Sequence, residues 1–143
     1  MILLINTATA YKGGSVQMAQ SFIESCRAFP EYTFHVILGV SVAEFIKPET
    51  FAGNFHFFNI DYRPARRIIS FKSRTGFFKD IERMTRPDVV FTTLGPAYWR
   101  PKAPHLIGYA LAHFIYLESS FMKSLPFRKL LKWRLKGVIS SYF

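Results

Sequence analysis

A chain of 143 residues, half of them hydrophobic and sixteen of them phenylalanine, is long enough for one domain with a real core and excludes a disordered polymer. Nineteen Lys and Arg against nine Asp and Glu leave a formal charge of +10, which favours phosphate-bearing partners such as nucleotides, nucleic acid or lipid headgroups. No run approaches the roughly 20 apolar residues of a membrane-spanning helix, and a single cysteine excludes a disulfide framework, as in a reducing compartment.

The opening run Met1-Ile2-Leu3-Leu4-Ile5 has no basic segment before it and is short, so it reads as a buried strand and not as a secretory signal. After Gly14 the apolar residues Val16, Ala19, Phe22, Ile23 and Cys26 recur at helical spacing, with Ser15 as a candidate cap. Cys26 lies on that apolar face and is assigned to core packing. "TFHVIL" from Thr33 to Leu38 is a second strand, 41 to 47 a short helix, and "FHFFN" from Phe55 to Asn59 a third strand. A basic stretch follows, with Arg63, Arg66, Arg67, Lys72 and Arg74. "TGFFKDIERMTRPD" then reads as a helix that turns Phe77, Phe78, Ile81 and Met84 inward and stops before Pro87. Asp88 to Thr93, "DVVFTT", is a central strand, and "PHLIGYALA" from Pro104 a further one. Strands alternating with helices predict an α/β fold: a Rossmann-like, doubly wound parallel sheet with helices on both faces.

Ligands of such sheets bind at the carboxyl ends of the strands. Those ends carry Lys12-Gly13-Gly14 after the first strand, Gly95, Tyr98 and Trp99 after "DVVFTT", and His113 after "HLIGYALA". The glycine pair serves either a tight turn or the approach of backbone N–H groups to an anion. It lacks the full spacing of a dinucleotide or P-loop fingerprint. His35, His56 and His105 fall within or at the start of strands and are assigned structural roles. His113, with Glu118 near it in sequence, is the candidate for hydrogen bonding or proton chemistry. Acids and histidines show no metal-ligand spacing.

The opening strand, the Gly-Gly loop, the helix "SVQMAQSFIESC" and above all "RPDVVFTTLGPAYWRPKAPHLIGYALAHFIY" resemble the amino-terminal domain of bacterial family-four retaining glycosyltransferases of the GT-B fold. The resemblance covers essentially the whole chain. It implies a single Rossmann-like domain, residues 1–143, that holds the acceptor and faces a carboxyl-terminal domain holding a nucleotide-sugar. The implied reaction moves the sugar to an acceptor hydroxyl with retention at the anomeric carbon and usually without a metal, in bacterial surface polysaccharide or glycolipid synthesis. Gly13 and Gly14 match the loop that approaches the donor phosphates, with Lys12, Gly95, Tyr98 and Trp99 as substrate contacts. His113 matches the family's active-site histidine, although the usual His-Asp dipeptide is replaced by His113-Phe114. The donor-binding domain lies outside this sequence, so the chain is expected to be a truncated part of an enzyme and inactive alone. The resemblance also implies a cytoplasmic location, peripheral on the inner face of the membrane.

After Glu118 the sequence has no acidic residue, while Lys123, Arg128, Lys129, Lys132, Arg134 and Lys136 accumulate. Residues 121–143 read as one basic amphipathic helix, with Phe127, Leu131, Leu135, Val138 and Tyr142 on one face and Arg128, Lys129, Lys132 and Lys136 on another. A non-catalytic module that attaches a partner to an anionic membrane surface through Phe121 to Phe143 is therefore the alternative function. Nucleic acid is disfavoured as a partner, because no RNP, helix-turn-helix or zinc pattern accompanies the charge.

Overall fold

The first apolar run forms β1, Ile2–Asn6, and every other strand is placed by reference to it. The computed structural model describes residues 1–64, 71–109, 116, 119–131, 133 and 135, with the backbone alone at 71–74. β1 pairs in parallel with β2 (Thr33–Leu38) on one side and with β4 (Val89–Thr92) on the other. β3 (Phe55–Asn59) extends the sheet beyond β2, and β5 (His105–Ile107) extends it beyond β4. The order is β3-β2-β1-β4-β5, all parallel. The chain thus winds outward to β3 and returns across β1, which makes the gap between the carboxyl ends of β1 and β4 the topological switch point.

Alternation along the strands divides the core in two. Ile5, Phe34, Val36, Leu38 and Phe55 face α1 (Gly14–Ser25), whose Val16, Ala19 and Ile23 fill that side. Leu4, Ile37 and Val90 face α3 (Phe71–Thr85), which inserts Phe78 and Ile81. The expected parallel α/β sheet with helices on both faces is present. A one-turn α2 (Val40–Ala43) follows β2, shorter than the helix read at 41 to 47. Met84 does not turn inward: the buried line of α3 runs through Thr75, Phe78, Ile81 and Thr85, and leaves Met84 63 % exposed on the far side. Cys26 is buried beneath α1, and burial pushes its thiol up to about 11, as core packing requires.

The carboxyl-terminal stretch is not one continuous helix. α4 (Ser120–Lys123) is capped by the Ser119 hydroxyl, which accepts from the Met122 N–H, and it ends at Ser124. Pro126 cannot continue a helix from the preceding turn because its ring excludes the i−4 carbonyl and it lacks an N–H. Helix resumes at 127. The parts of the expected face that involve Lys132, Arg134, Lys136, Val138 and Tyr142 lie outside the described residues. Among the described residues, no helix is long and apolar enough to cross a membrane.

Two crossings at the carboxyl ends require glycine. A Cβ on Gly39, just after β2, would sit 2.5 Å from the Thr7 carbonyl oxygen, and one on Gly108, just after β5, would collide with the Thr93 carbonyl. The strand exits can therefore pack directly on the ends of β1 and β4. Gly39→Ala is expected to lower unfolding free energy by about 1–3 kcal/mol in urea titrations, as overpacking against rigid backbone does. Gly53→Ala, whose Cβ meets nothing within 4 Å, should change it little. Equal effects of the two substitutions would refute the close-approach argument.

Candidate functional site

The switch point is lined by polar residues that no solvent reaches. Asn6, Thr7, Thr92 and Thr93 are fully buried where β1 and β4 end, and Thr9 is nearly so. Buried polar groups are costly unless paired, and each of these has a partner. Asn6 Oδ1 accepts from the Ala8 N–H at 3.1 Å and shapes the turn after β1, as an Asx side chain does. Asn6 Nδ2 donates to Thr92 Oγ1 at 3.3 Å, and that hydroxyl also meets His105 Nε2 at 2.9 Å. One hydroxyl proton serves both contacts if Thr92 accepts from Asn6 and donates to a neutral imidazole protonated at Nδ1. Thr7 donates to the Ile37 carbonyl at 2.8 Å and accepts from the Gly39 N–H at 3.1 Å, which locks the exit of β2. Thr9 donates to the Leu94 carbonyl, tying the β1 loop to the β4 loop.

Above this buried layer the loops open to solvent. Gly13 has φ 60 and ψ −142, a conformation that side chains resist, and it caps α1. Its carbonyl takes the Val16 N–H at 3.0 Å. No side chain caps the helix. Ser15 instead donates to the Lys12 carbonyl at 2.9 Å, so it braces the loop in place of the expected cap. A Cβ on Gly14 would meet no atom within 4 Å among the described residues. The first N–H groups of α1, which lack intrahelical partners, lie beside open space with Lys12 exposed next to them. Such an arrangement suits an anionic or strongly polar ligand.

The other expected site residues divide. Gly95 follows β4, donates to the Gly108 carbonyl at 2.9 Å and lies against Ile107 and Tyr109, on the same sheet edge as Gly13 and Gly14. Tyr98 takes a left-handed backbone (φ 67) and is half-buried against the α3-side core. Trp99 is not a surface contact. Only 1 % exposed, it stacks on Phe78 with ring centroids 4.9 Å apart, and its Nε1 donates to Glu82 Oε2 at 3.0 Å. The second Glu82 oxygen accepts the Lys102 N–H at 2.6 Å, so Trp99 and Glu82 together anchor the β4–β5 connection. His113 and Glu118 lie outside the described residues.

Tyr11, near this edge, was not signalled by the sequence pattern, and Arg63 was noted only as part of the mid-chain basic stretch. Tyr11 is 47 % exposed, its carbonyl held by Ser41 Oγ at 3.0 Å, and the Arg63 guanidinium stands over its ring at 5.5 Å from the centroid. The contact brings the first residue of the mid-chain basic cluster to the β1 loop. A single tyrosine between a strand and a glycine pair has no distinctive spacing. The signal that was available lay in "INT" and "FTT", polar residues ending otherwise apolar strands. Among the described residues no three His, Cys, Asp or Glu side chains gather as a metal site would require. The sequence matches no family model and no curated protein.

Both half-buried histidines of the sheet are held toward neutrality. His35 is lowered by burial and then by His56, whose ring stacks on it at 4.9 Å, and its buried Nδ1 has no hydrogen-bond partner. His105 is lowered by burial, against an opposing pull from Glu82. A folded state whose histidines have depressed pKa values binds fewer protons than the unfolded chain, so stability is full above the unfolded value near about 6.5 and is lost as pH falls below it. Urea midpoints are therefore expected to drop between about pH 7.5 and pH 5, with a shallower drop for His35→Phe. A flat profile across that range would exclude the neutral-histidine description.

Proposed function

We propose that the chain is the acceptor-side domain of a retaining glycosyltransferase, which moves a sugar from a nucleotide-sugar to an acceptor hydroxyl in the synthesis of a surface polysaccharide or glycolipid. The observation that carries the reading is the site's position. An all-parallel β3-β2-β1-β4-β5 sheet has a Gly-Gly loop and an uncapped helix start at its switch point. The resemblance in "PDVVFTTLGPAYWRPKAPHLIGYA" supplies the reaction class. In this reading the absent side chain of Gly14 leaves room for the donor diphosphate, and Lys12 and the first N–H groups of α1 face its charge. Lys12 and the residues around Gly95 and Tyr98 border the acceptor. His113 is assigned to hydrogen bonding or proton chemistry at the reacting centre. A second domain, which supplies most contacts to the donor, completes the cleft. The reading assigns the protein to the cytoplasm, peripheral on the inner face of the membrane.

Residues 1–143 alone are expected to give no sugar transfer from nucleotide-sugars, because one wall of the cleft cannot hold the two reactants in register. In a two-domain parent, Gly14→Val should reduce kcat/KM on the order of a hundredfold, the scale set by misplacing reacting groups, with a thermal midpoint close to that of the unaltered protein. Measured turnover by the isolated chain, or a Gly14→Val parent that folds and transfers normally, would contradict the reading.

A further inference from the structure

The loops that leave β1 and β3 meet near the exit of β2, on the side of the β1 loop away from β4. Tyr11 is fixed there by α2, since the Ser41 hydroxyl donates to its carbonyl at 3.0 Å, and the Arg63 guanidinium, arriving from β3, stands 5.5 Å from the centroid of its ring. The ring orients the guanidinium by cation–π attraction but offers no acceptor in the plane of its N–H groups. Arg63 is half-buried, and among the described residues it has neither a carboxylate partner nor a hydrogen bond. Two other arginines behave differently: Arg27 and Arg83 each pair with an acid three residues earlier, Glu24 and Asp80. Lys12, exposed next to Tyr11, adds a second cation to the same loop.

A partly desolvated guanidinium with open donors is completed by an anion, and its planar fork fits the paired oxygens of a carboxylate or a phosphate. The donor diphosphate of the proposed reaction is a poor match for this position. It is assigned to Gly14 and the start of α1, whereas Ser41 holds the Tyr11 end of the loop toward α2. An anion at Arg63 therefore belongs to the other reactant.

We propose that Arg63, oriented by the Tyr11 ring, is a specificity-determining residue that selects an acceptor sugar bearing a negative charge, as a uronic-acid carboxylate or as a phosphate ester. The inference rests on the acceptor-side reading of this domain and adds which acceptors that side takes, acidic ones over neutral ones.

Titration of the isotopically labelled full chain with glucuronate, with glucose phosphate and with glucose, followed through backbone amides and the Arg63 Nε–H, tests it. The expected result is shifts at Tyr11 and Arg63 with a charged sugar, at a dissociation constant about tenfold or more below that for glucose. A stronger response to glucuronate identifies the carboxylate as the recognised group, and a stronger response to glucose phosphate identifies the phosphate. Arg63→Gln should abolish the preference, and Arg63→Lys, which keeps the charge without the fork, should retain part of it. Tyr11 is exposed, so Tyr11→Ala, which frees the guanidinium, supplies a second variant expected to weaken the preference even where Arg63→Gln disturbs its half-buried loop; circular dichroism verifies the folding of each. Charged and neutral sugars bound alike, no shift at Tyr11 and Arg63 with either charged sugar, or a preference that survives Arg63→Gln would overturn the proposal. So would displacement of the charged sugar from Arg63 by uridine diphosphate, which would assign the residue to the donor. Because binding is read without turnover, a failure here is distinct from failure of the transferase reading, which the two-domain kinetics decide.

Discussion

The constraint on which the structure depends is the enclosure of β1. It is hydrogen-bonded to parallel neighbours on both sides, and the residues of its two faces enter two different cores. A strand so placed has no solvent for its backbone, so its ladder must be complete. The pairing is carried past the strand end, where the Thr7 N–H reaches the Ile37 carbonyl and the Thr93 N–H reaches the Asn6 carbonyl, both at 3.0 Å. Each neighbouring loop must then cross a strand end at backbone distance. Gly39 and Gly108 meet that demand, and the threonine and asparagine side chains satisfy the polar groups left between them. The rigid layer under the candidate site is thus a consequence of burying β1, and the loops above it are free to vary in what they bind.

This division separates residues that hold the edge together from residues that can meet a ligand. Trp99 with Glu82 and Thr92 with His105 form two hydrogen-bonded pairs whose Trp99 and His105 rings lie 6.0 Å apart; Glu82 also holds the β4–β5 connection, and Thr92 also accepts from Asn6. Lys12, Gly13, Gly14, Tyr11 and Arg63 lie on the solvent side of the same edge. The two glycines of the β1 loop also differ. Gly13 answers to backbone torsion, whereas a Cβ at Gly14 would meet open space among the described residues, as one would at Gly53 and Gly76.

The strands were legible because parallel strands buried on both faces are written as continuous apolar runs bounded by polar turns. "TFHVIL" and "FHFFN" coincide with β2 and β3 residue for residue, β1 and β4 shift by a residue or two at their ends, and of "PHLIGYALA" only His105–Ile107 is strand among the described residues. "DVVFTT" was read as a central strand, and β4 does lie between β1 and β5, but no local pattern gave the rest of the pairing order. Trp99 misled because an aromatic after a strand end reads alike whether it faces a ligand or a core. Only the placement of α3, which brings Phe78 and Glu82 to the indole, decides between them. The single long helix read for 121–143 overlooked Pro126, whose effect on the turn before it outweighs the amphipathic period. Phe127, Leu131 and Leu135, the described part of the face read through Val138 and Tyr142, share one exposed side of the helix, while Trp133 meets Phe121 edge-on.

The central claim is that a phosphate-bearing ligand meets this chain at the carboxyl ends of β1 and β4. Titration of the isotopically labelled chain with uridine diphosphate, followed through backbone amide shifts, tests it most directly. The account predicts that the largest changes fall on Lys12, Gly13, Gly14 and the loop from Thr93 to Tyr98, even if saturation is weak without a second domain. Changes concentrated at the opposite end of the sheet, near Arg27, Asn54 and Pro30, or an absence of change at the β1 and β4 loops, would contradict it.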